Sequence, residues 1–463
     1  MTNKLQHILF ITAITSFMAV IYLDQNGIGV TLTHIQSTFR ISNTLLQWVM
    51  NSMLIATAVS VLIAGRLGDM FGTRKVFCFG QIGFLIASII CGMAPNITWL
   101  LIGRALQGLT ASFMLTNYMV LIHHQYSKEQ CPKILGLCIS ISAIFGAAAP
   151  AIAGILTQWL SWRGFFLINI PIILLCLTLT YSVINKVEGH ASRENIDYVG
   201  MAMLVIAIAA LVSVFTEASQ FGWNNSSILI TLFIGLLLMV GFYFFEMRHK
   251  NPLLHFEVLK NPHILACNII VFCLQISLIC TIYFAIWLQN VLGFSPFATG
   301  LAYLPQTLPV IIMATAGGHW ASKKGFRQPI VFGLTLAAIS IAILTAMFYK
   351  QSYAWLAPFL LLWSFGAATA YPSTISAMLS DVDTEHKGMV VGINQTCRSL
   401  ACALGLAIFS TILVGHYGNH SFIVSTASKT AYTHAYMVAM LLPVCATFVA
   451  MFTAWKYIHS RQV

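Results

Sequence analysis

Gly65-Arg66-Leu67-Gly68-Asp69-Met70-Phe71-Gly72-Thr73-Arg74-Lys75 lies between two long apolar runs. A chain that turns tightly between two membrane helices needs small residues at the turn, and three glycines supply them. Charge fits there because such a turn lies at the water boundary. Three cations within eleven residues mark it as cytoplasmic. Asp69 stands among Arg66, Arg74 and Lys75, so its simplest role is a structural ion pair.

The rest of the chain agrees with a membrane setting. Its 463 residues are 59% hydrophobic and 8% charged, with a mean hydropathy of +0.85. Soluble domains carry about 25% charged residues, so this chain is not soluble. Repeated apolar stretches of about 18 residues or more, separated by polar loops, define an all-α polytopic membrane protein. The net charge of +11 follows from basic residues in loops and does not imply nucleic acid. The eleven cysteines are scattered, with no CxxC pair or metal spacing, and read as small hydrophobes. No metal or cofactor is implied. HExxH, Walker-type loops and GxGxxG are absent, so an enzyme is not expected. The N-terminal apolar run carries Asp24 and no cleavage site, and reads as a first span.

Fourteen spans are expected, at about 8–32, 45–66, 76–94, 97–121, 133–157, 162–185, 198–217, 226–246, 263–288, 297–320, 328–349, 353–379, 388–414 and 433–457. On this map seventeen lysines and arginines fall on the side of the termini. Only Arg40, Arg163, Lys350 and Lys429 fall opposite, and Arg104 and Arg398 lie within spans. Both termini are therefore expected in the cytoplasm. The spans divide into a six-helix bundle (1–190), two linking helices outside the bundles (191–250) and a second six-helix bundle (251–463).

Charge inside a bilayer is costly and marks candidate function. Asp24 is the one acid well inside a span, and a rise of about 1.5 Å per residue puts it in the outer half. Arg104 comes out at a similar depth, so the two could face each other. They read either as a static buried pair or as a carboxyl that exchanges a proton. Burial favours its neutral form and a nearby arginine its charged form, so relative motion would switch it. Arg104, Gln107, Gly108, Ala111 and Asn117 share one helix face, a polar and small stripe turned to a partner helix or cavity. Asn394 and Arg398 are four apart. Arg398 has no acid at its depth and must face water, carbonyls or an anionic ligand. Gly146, Pro150 and Gly154, spaced by four, form a smooth face for close packing or a hinge. Gln25, Asn26, Trp48, Asn51, Gln107, Asn117, Tyr283, Trp287, Asn394 and Arg398 are the candidate substrate-cavity residues.

The Gly65–Lys75 stretch resembles the loop 2–3 signature of the major facilitator superfamily, glycine-x-leucine-x-aspartate-x-x-glycine-x-arginine-lysine. A weaker echo is Gly318-His319-Trp320-Ala321-Ser322-Lys323-Lys324-Gly325-Phe326-Arg327, as a two-halved transporter requires. Further stretches resemble the fourteen-helix drug:proton antiporter branch, of the EmrB/QacA type. They are Leu23-Asp24-Gln25-Asn26-Gly27-Ile28-Gly29-Val30, Gln47-Trp48-Val49, Leu101-Ile102-Gly103-Arg104-Ala105-Leu106-Gln107-Gly108 and Trp162-Arg163-Gly164-Phe165-Phe166-Leu167-Ile168-Asn169-Ile170-Pro171. Asn251-Pro252-Leu253-Leu254, Leu288-Gln289-Asn290-Val291-Leu292-Gly293-Phe294-Ser295-Pro296 and Asn394-Gln395-Thr396-Cys397-Arg398 continue the match.

The resemblance implies efflux of small amphipathic compounds across the bacterial inner membrane, driven by inward proton flow through alternating access. It implies that Asp24 and Arg104 couple protons. Gly65, Gly68, Asp69, Gly72, Arg74 and Lys75 would gate the cytoplasmic side. The implied partners are a small-molecule substrate, protons and membrane lipid, with a monomer as the working unit and a periplasmic adaptor left open. The chain departs from the helix 5 signature at Ala149-Pro150 and Ala153-Gly154, which weakens the case for antiport. It departs from the helix 1 signature at Asn26, Gly29 and Thr33, and from the helix 2 tyrosine at Met53, which leaves substrate choice open. Two alternatives stand beside drug export: export of one native metabolite, such as a siderophore-like or anionic product near Arg398, and a transport-inactive sensor or scaffold.

Overall fold

The computed structural model describes residues 2–126, 130–184, 197–248, 260–380, 382, 387–417 and 429–458. The first half contains α1 (Thr2–Phe39), α2 (Asn43–Phe71), α3 (Thr73–Gly92), α4 (Ile97–Gln125), α5 (Cys131–Trp159), α6 (Trp162–Leu167) and α7 (Asn169–Val183). Two helices follow, α8 (Tyr198–Phe221) and α9 (Ser226–Arg248). The second half contains α10 (Pro262–Cys280), α11 (Ile282–Asn290), α12 (Pro296–Ala302), α13 (Leu304–Lys324), α14 (Arg327–Met347), α15 (Tyr353–Ser380), α16 (Lys387–Tyr417), α17 (Lys429–Ala439) and α18 (Leu441–Tyr457).

The opening stretch is tighter than the sequence suggests. Gly65 and Gly68 lie within α2, and the turn contracts to Gly72 alone. Its φ of 95° favours glycine, and its N–H closes α2 onto the Gly68 carbonyl at 3.0 Å. Gly68 serves another purpose. A side chain there would strike the Asn117 side chain of α4.

Several spans are broken where the sequence gives a reason. Proline cannot donate to the carbonyl four residues back and clashes with it. Accordingly α6 ends at Leu167, four before Pro171, and α17 ends at Ala439, four before Pro443. Pro305 likewise separates α12 from α13. The break between α10 and α11 has no proline. There the Tyr303 hydroxyl donates to the Thr281 carbonyl at 2.6 Å, and Gln306 Nε2 donates to the Thr281 hydroxyl at 3.1 Å.

Among the described residues, twelve helices or helix pairs are long and apolar enough to cross a membrane, two fewer than the fourteen expected. The expected spans 45–66 and 297–320 are not among the twelve. In α2 the apolar stretch is the shorter Leu45–Val61. The α12–α13 region is interrupted at Tyr303 and carries Gln306, Thr307, Pro309, Lys323 and Lys324.

Side-chain contacts fix which helix termini share an end. His7 at the start of α1 meets Tyr126 beyond α4 at 2.8 Å, and Arg74 at the start of α3 donates to the Tyr181 carbonyl of α7 at 2.8 Å. These lie at the turn end, with Gly72. At the far end, Trp162 Nε1 donates to the Thr38 hydroxyl at 3.1 Å and Arg163 to the Ala94 carbonyl at 3.1 Å.

Small residues set the close crossings within each half. Gly108 of α4 lies against the Met53 carbonyl of α2, and Gly80 and Gly83 of α3 lie against Thr110. Gly333 of α14 and Gly366 of α15 approach backbone to backbone. The linking helices were expected outside both bundles. The structure divides them: α8 packs against α2 and α16, one helix from each half, while α9 packs on α8. The outer surface of α9 exposes Leu229, Ile230, Phe233, Leu237 and Phe244, as a lipid-facing helix requires.

Candidate functional site

Asp24 and Arg104 meet. Asp24 is 0% exposed and Arg104 2%. Arg104 Nη1 lies 2.6 Å and 2.9 Å from the two carboxylate oxygens. Asp24 is 22 residues into α1, so it sits about 33 Å along the helix from its turn-end start, in the far half. A buried ion pair offsets its desolvation only when its remaining donors are also satisfied. Arg104 Nε donates to the Val49 carbonyl of α2 at 3.0 Å, and Nη1 also donates to Gln107 Oε1 at 2.9 Å. The Phe166 ring stacks over the guanidinium at 5.7 Å.

The network extends inward. Gln107 Nε2 donates to the Ser88 hydroxyl of α3 at 3.0 Å, and Asn169 Nδ2 donates to the same hydroxyl at 3.4 Å. Cys91 Sγ donates to Gln107 Oε1 at 3.6 Å. A chain of buried polar groups thus ties α1, α2, α3, α4 and the start of α7 together. Ser88 and Asn169 were not singled out from sequence. Their signal was a neutral polar residue inside an apolar run, which marks a position less sharply than a charge does.

The expected cavity residues scatter. Asn26 is exposed and Gln25 half-buried, one turn or less from Asp24. Asn26 Nδ2 donates to the Gly146 carbonyl of α5 at 3.3 Å. Trp48 is half-buried. Asn51 is buried and donates to the Thr216 hydroxyl of α8 at 3.1 Å. Asn117 is buried and holds the Ala64 carbonyl of α2 at 3.1 Å. Tyr283 stacks on Phe409 at 4.9 Å, and Trp287 packs on Phe348 with its Nε1 donating to Thr433 at 3.3 Å, so both sit in an aromatic core. Asn394 donates to Asn268 Oδ1 at 3.3 Å. Arg398 is half-buried, its Nη1 reaching Gln395 on its own helix at 3.2 Å.

Of the expected gating residues, Arg74 also stacks over Tyr181 at 5.4 Å and Lys75 is exposed. Gly65 has open space around it. The Asp69 side chain, and with it the expected ion pair, lies outside the described residues.

The small stripe on α5 touches the second half. A side chain at Gly154 would collide with the Pro296 carbonyl, and one at Gly300 with the Pro150 carbonyl. Gln158 Oε1 accepts from the Phe297 N–H at 3.2 Å. Beside this seam, Gln289 Nε2 donates to the Val30 carbonyl at 3.0 Å, and the Thr33 hydroxyl bonds Gln289 Oε1. These contacts join the halves at the far end.

Comparison with known proteins agrees with this architecture. The profile of the family described as "Major Facilitator Superfamily" matches residues 14–406. The chain is 29% identical over 416 residues to "Multidrug resistance protein Stp" of Mycobacterium tuberculosis (strain CDC 1551 / Oshkosh), covering 88% of this chain and 75% of that protein. It is 26% identical over 408 residues to the "Tetracenomycin C resistance and export protein" of Streptomyces glaucescens, covering 88% and 76%. Among solved structures, a D-xylose–proton symporter superposes with a TM-score of 0.71 at 14% identity, covering 98% of each chain. A bacterial homologue of the human lysosomal transporter Spinster, inward-facing and occupied, gives 0.70 at 15% identity, covering 97% of this chain and 96% of that one.

Proposed function

We propose that this chain, which belongs to the Major Facilitator Superfamily, exports small amphipathic compounds, drugs among them, in exchange for protons. Family membership makes it a multi-pass membrane transporter and not an enzyme. The names of the relatives support drug efflux. The observation that carries proton coupling is the Asp24–Arg104 pair, a carboxylate and a cation joining α1 to α4 at membrane depth.

The chemistry follows from the contacts. A proton on Asp24 removes the charge that holds Arg104. Arg104 then keeps the Val49 carbonyl and Gln107 as partners, and α1 is released from α4. The same α1 carries Val30 and Thr33 to the Gln289 seam, so its movement reaches the contact between the halves. The turn end is the cytoplasmic face and the far end the outer face, as the basic loops direct. The state described here is then closed outside. Gly65, Gly68, Asp69, Gly72, Arg74 and Lys75 close the cytoplasmic side in the opposite state. Helices α2 and α12–α13 also cross the membrane, giving six spans, two linking spans and six spans, because α2 packs along α4, α8 and α16, and α12–α13 packs along α5 and α15. The units are 1–190, 191–250 and 251–463, in the inner membrane of a bacterium.

Purified protein in liposomes under an imposed pH gradient tests this reading. Accumulation of amphipathic compounds that collapses with a protonophore is expected. Folded protein that moves none of a broad panel with the gradient would overturn it.

A further inference from the structure

We propose that Arg398, with the hydroxyls of Tyr22, Tyr118 and Tyr371, forms a subsite between the halves that binds the carboxylate or phenolate of an amphipathic aromatic ligand. The inference rests on the reading of the protein as an exporter and names the substrate class it favours.

The two halves differ in charge balance. In the first half, Asp24 cancels Arg104. Arg398 of α16 has no such partner among the described residues. Its Nε is buried without an acceptor, and its Nη1 reaches only the neutral Gln395 side chain. Its guanidinium lies 5.5 Å from the Tyr371 ring of α15. A ring face offsets part of the desolvation of a cation but none of its charge. An arginine held at membrane depth in this way is costly unless something else supplies the anion.

The neighbours narrow the choice. Helix α16 packs against α2 of the first half, which places Arg398 on a helix at the junction of the halves, and the charge of Arg398 is felt by Tyr22 of α1 and Tyr118 of α4. None of the three tyrosine hydroxyls bonds another described residue. Phenol hydroxyls and a guanidinium are donors, and the group holds no carboxylate to receive them. Such a set suits a planar anion, which accepts a paired bond from guanidinium and further bonds from hydroxyls. The rings beside it suit an aromatic body. The same charge disfavours lipophilic cations, because no acid among the described residues neutralises Arg398.

Equilibrium binding to the full chain in lipid nanodiscs, with no gradient, tests the proposal. Three probes share one ring system: 2-naphthoate, its neutral amide and the cationic 2-naphthylmethylammonium. At neutral pH the naphthoate should bind about tenfold or more tighter than the other two, the range of a charge-assisted hydrogen bond. Arg398→Gln should remove that preference while leaving amide binding unchanged, and thermal unfolding of the ligand-free protein should not fall, since an uncompensated charge is removed. Arg398→Lys should keep part of it, and Tyr118→Phe or Tyr371→Phe should weaken naphthoate a few-fold. Equal binding of the three probes to the native chain, or loss of all three alike in Arg398→Gln, would overturn the subsite. Gradient-driven flux is a separate measurement. Its absence with charge-selective binding intact would count against the exporter and not against the subsite.

Discussion

The two arginines inside the membrane have opposite surroundings. Arg104 is enclosed: a carboxylate, a carbonyl and an amide oxygen accept its hydrogen bonds. Arg398 is half-open, with a buried Nε that has no acceptor among the described residues. The residue type is the same, and both lie within membrane-spanning helices. What differs is the supply of acceptors, and that supply separates a cation that belongs to the protein from one that awaits a ligand.

The strongest way to break the comparison is to open the closed arginine. Asp24→Asn leaves Arg104 buried and uncompensated, which costs about 3–5 kcal/mol. Gradient-driven export should fall to background, and thermal unfolding should move down. The double variant Asp24→Asn with Arg104→Gln restores a neutral pair. It should recover most of the stability and none of the uphill flux, because no titrating carboxyl remains. Recovery of flux in the double variant would remove Asp24 from the coupling mechanism.

The next largest effect belongs to the seam between the halves. Gly154→Val drives a side chain into the Pro296 carbonyl, an overpacking worth about 1–3 kcal/mol against the closed far end. The population should shift toward the state with that end parted. Spin labels at Leu160 and Leu301 should report a longer distance across it. An unchanged distance distribution would mean that the seam has no part in closing the far end.

The difference between the two arginines was only partly legible in the sequence. Asp24 and Arg104 stood out because charge in an apolar run is rare, and their depths matched. Arg398 stood out equally, since its lack of an acid was visible from the composition of its half. The extension through Gln107 to Ser88 and Asn169 was not legible. Serine and asparagine occur in many membrane helices, and only tertiary contact says which pair. Tyr283 and Trp287 illustrate the same limit, because an aromatic suits a core and a cavity equally. The turn at Gly72 was clear, but Gly65 and Gly68 were read as part of it. Glycine at a helix crossing looks, in one dimension, like glycine in a loop.

Gln107→Leu probes how far the enclosure of Arg104 depends on neutral groups. It removes one acceptor from a charged donor and one donor from Ser88, at about 1.5–3 kcal/mol for a bond to a charged group. The turnover rate should drop several-fold with little change in KM, since the substitution acts on the pair and not on the ligand. A change confined to KM would instead place Gln107 against substrate.

The smallest effect concerns α8, which touches α2 and α16, one helix from each half. It is fastened to α2 by Asn51 Nδ2 on the Thr216 hydroxyl, and to α16 by the Thr411 hydroxyl on the Phe215 carbonyl. Thr216→Val keeps the shape and removes the acceptor. Interhelical bonds of this kind in membranes average about 0.6 kcal/mol, so unfolding should shift only slightly. The informative readout is turnover. If α8 were passive filler, the rate would not change. If the halves rock against each other, α2 and α16 must slide past α8, and a bond at that surface is made and broken in each cycle. Thr216→Val should then change the rate by about two- to threefold at unchanged ligand affinity, the kinetic equivalent of that bond. An unaltered rate would leave α8 a static wedge beside two halves that move without it.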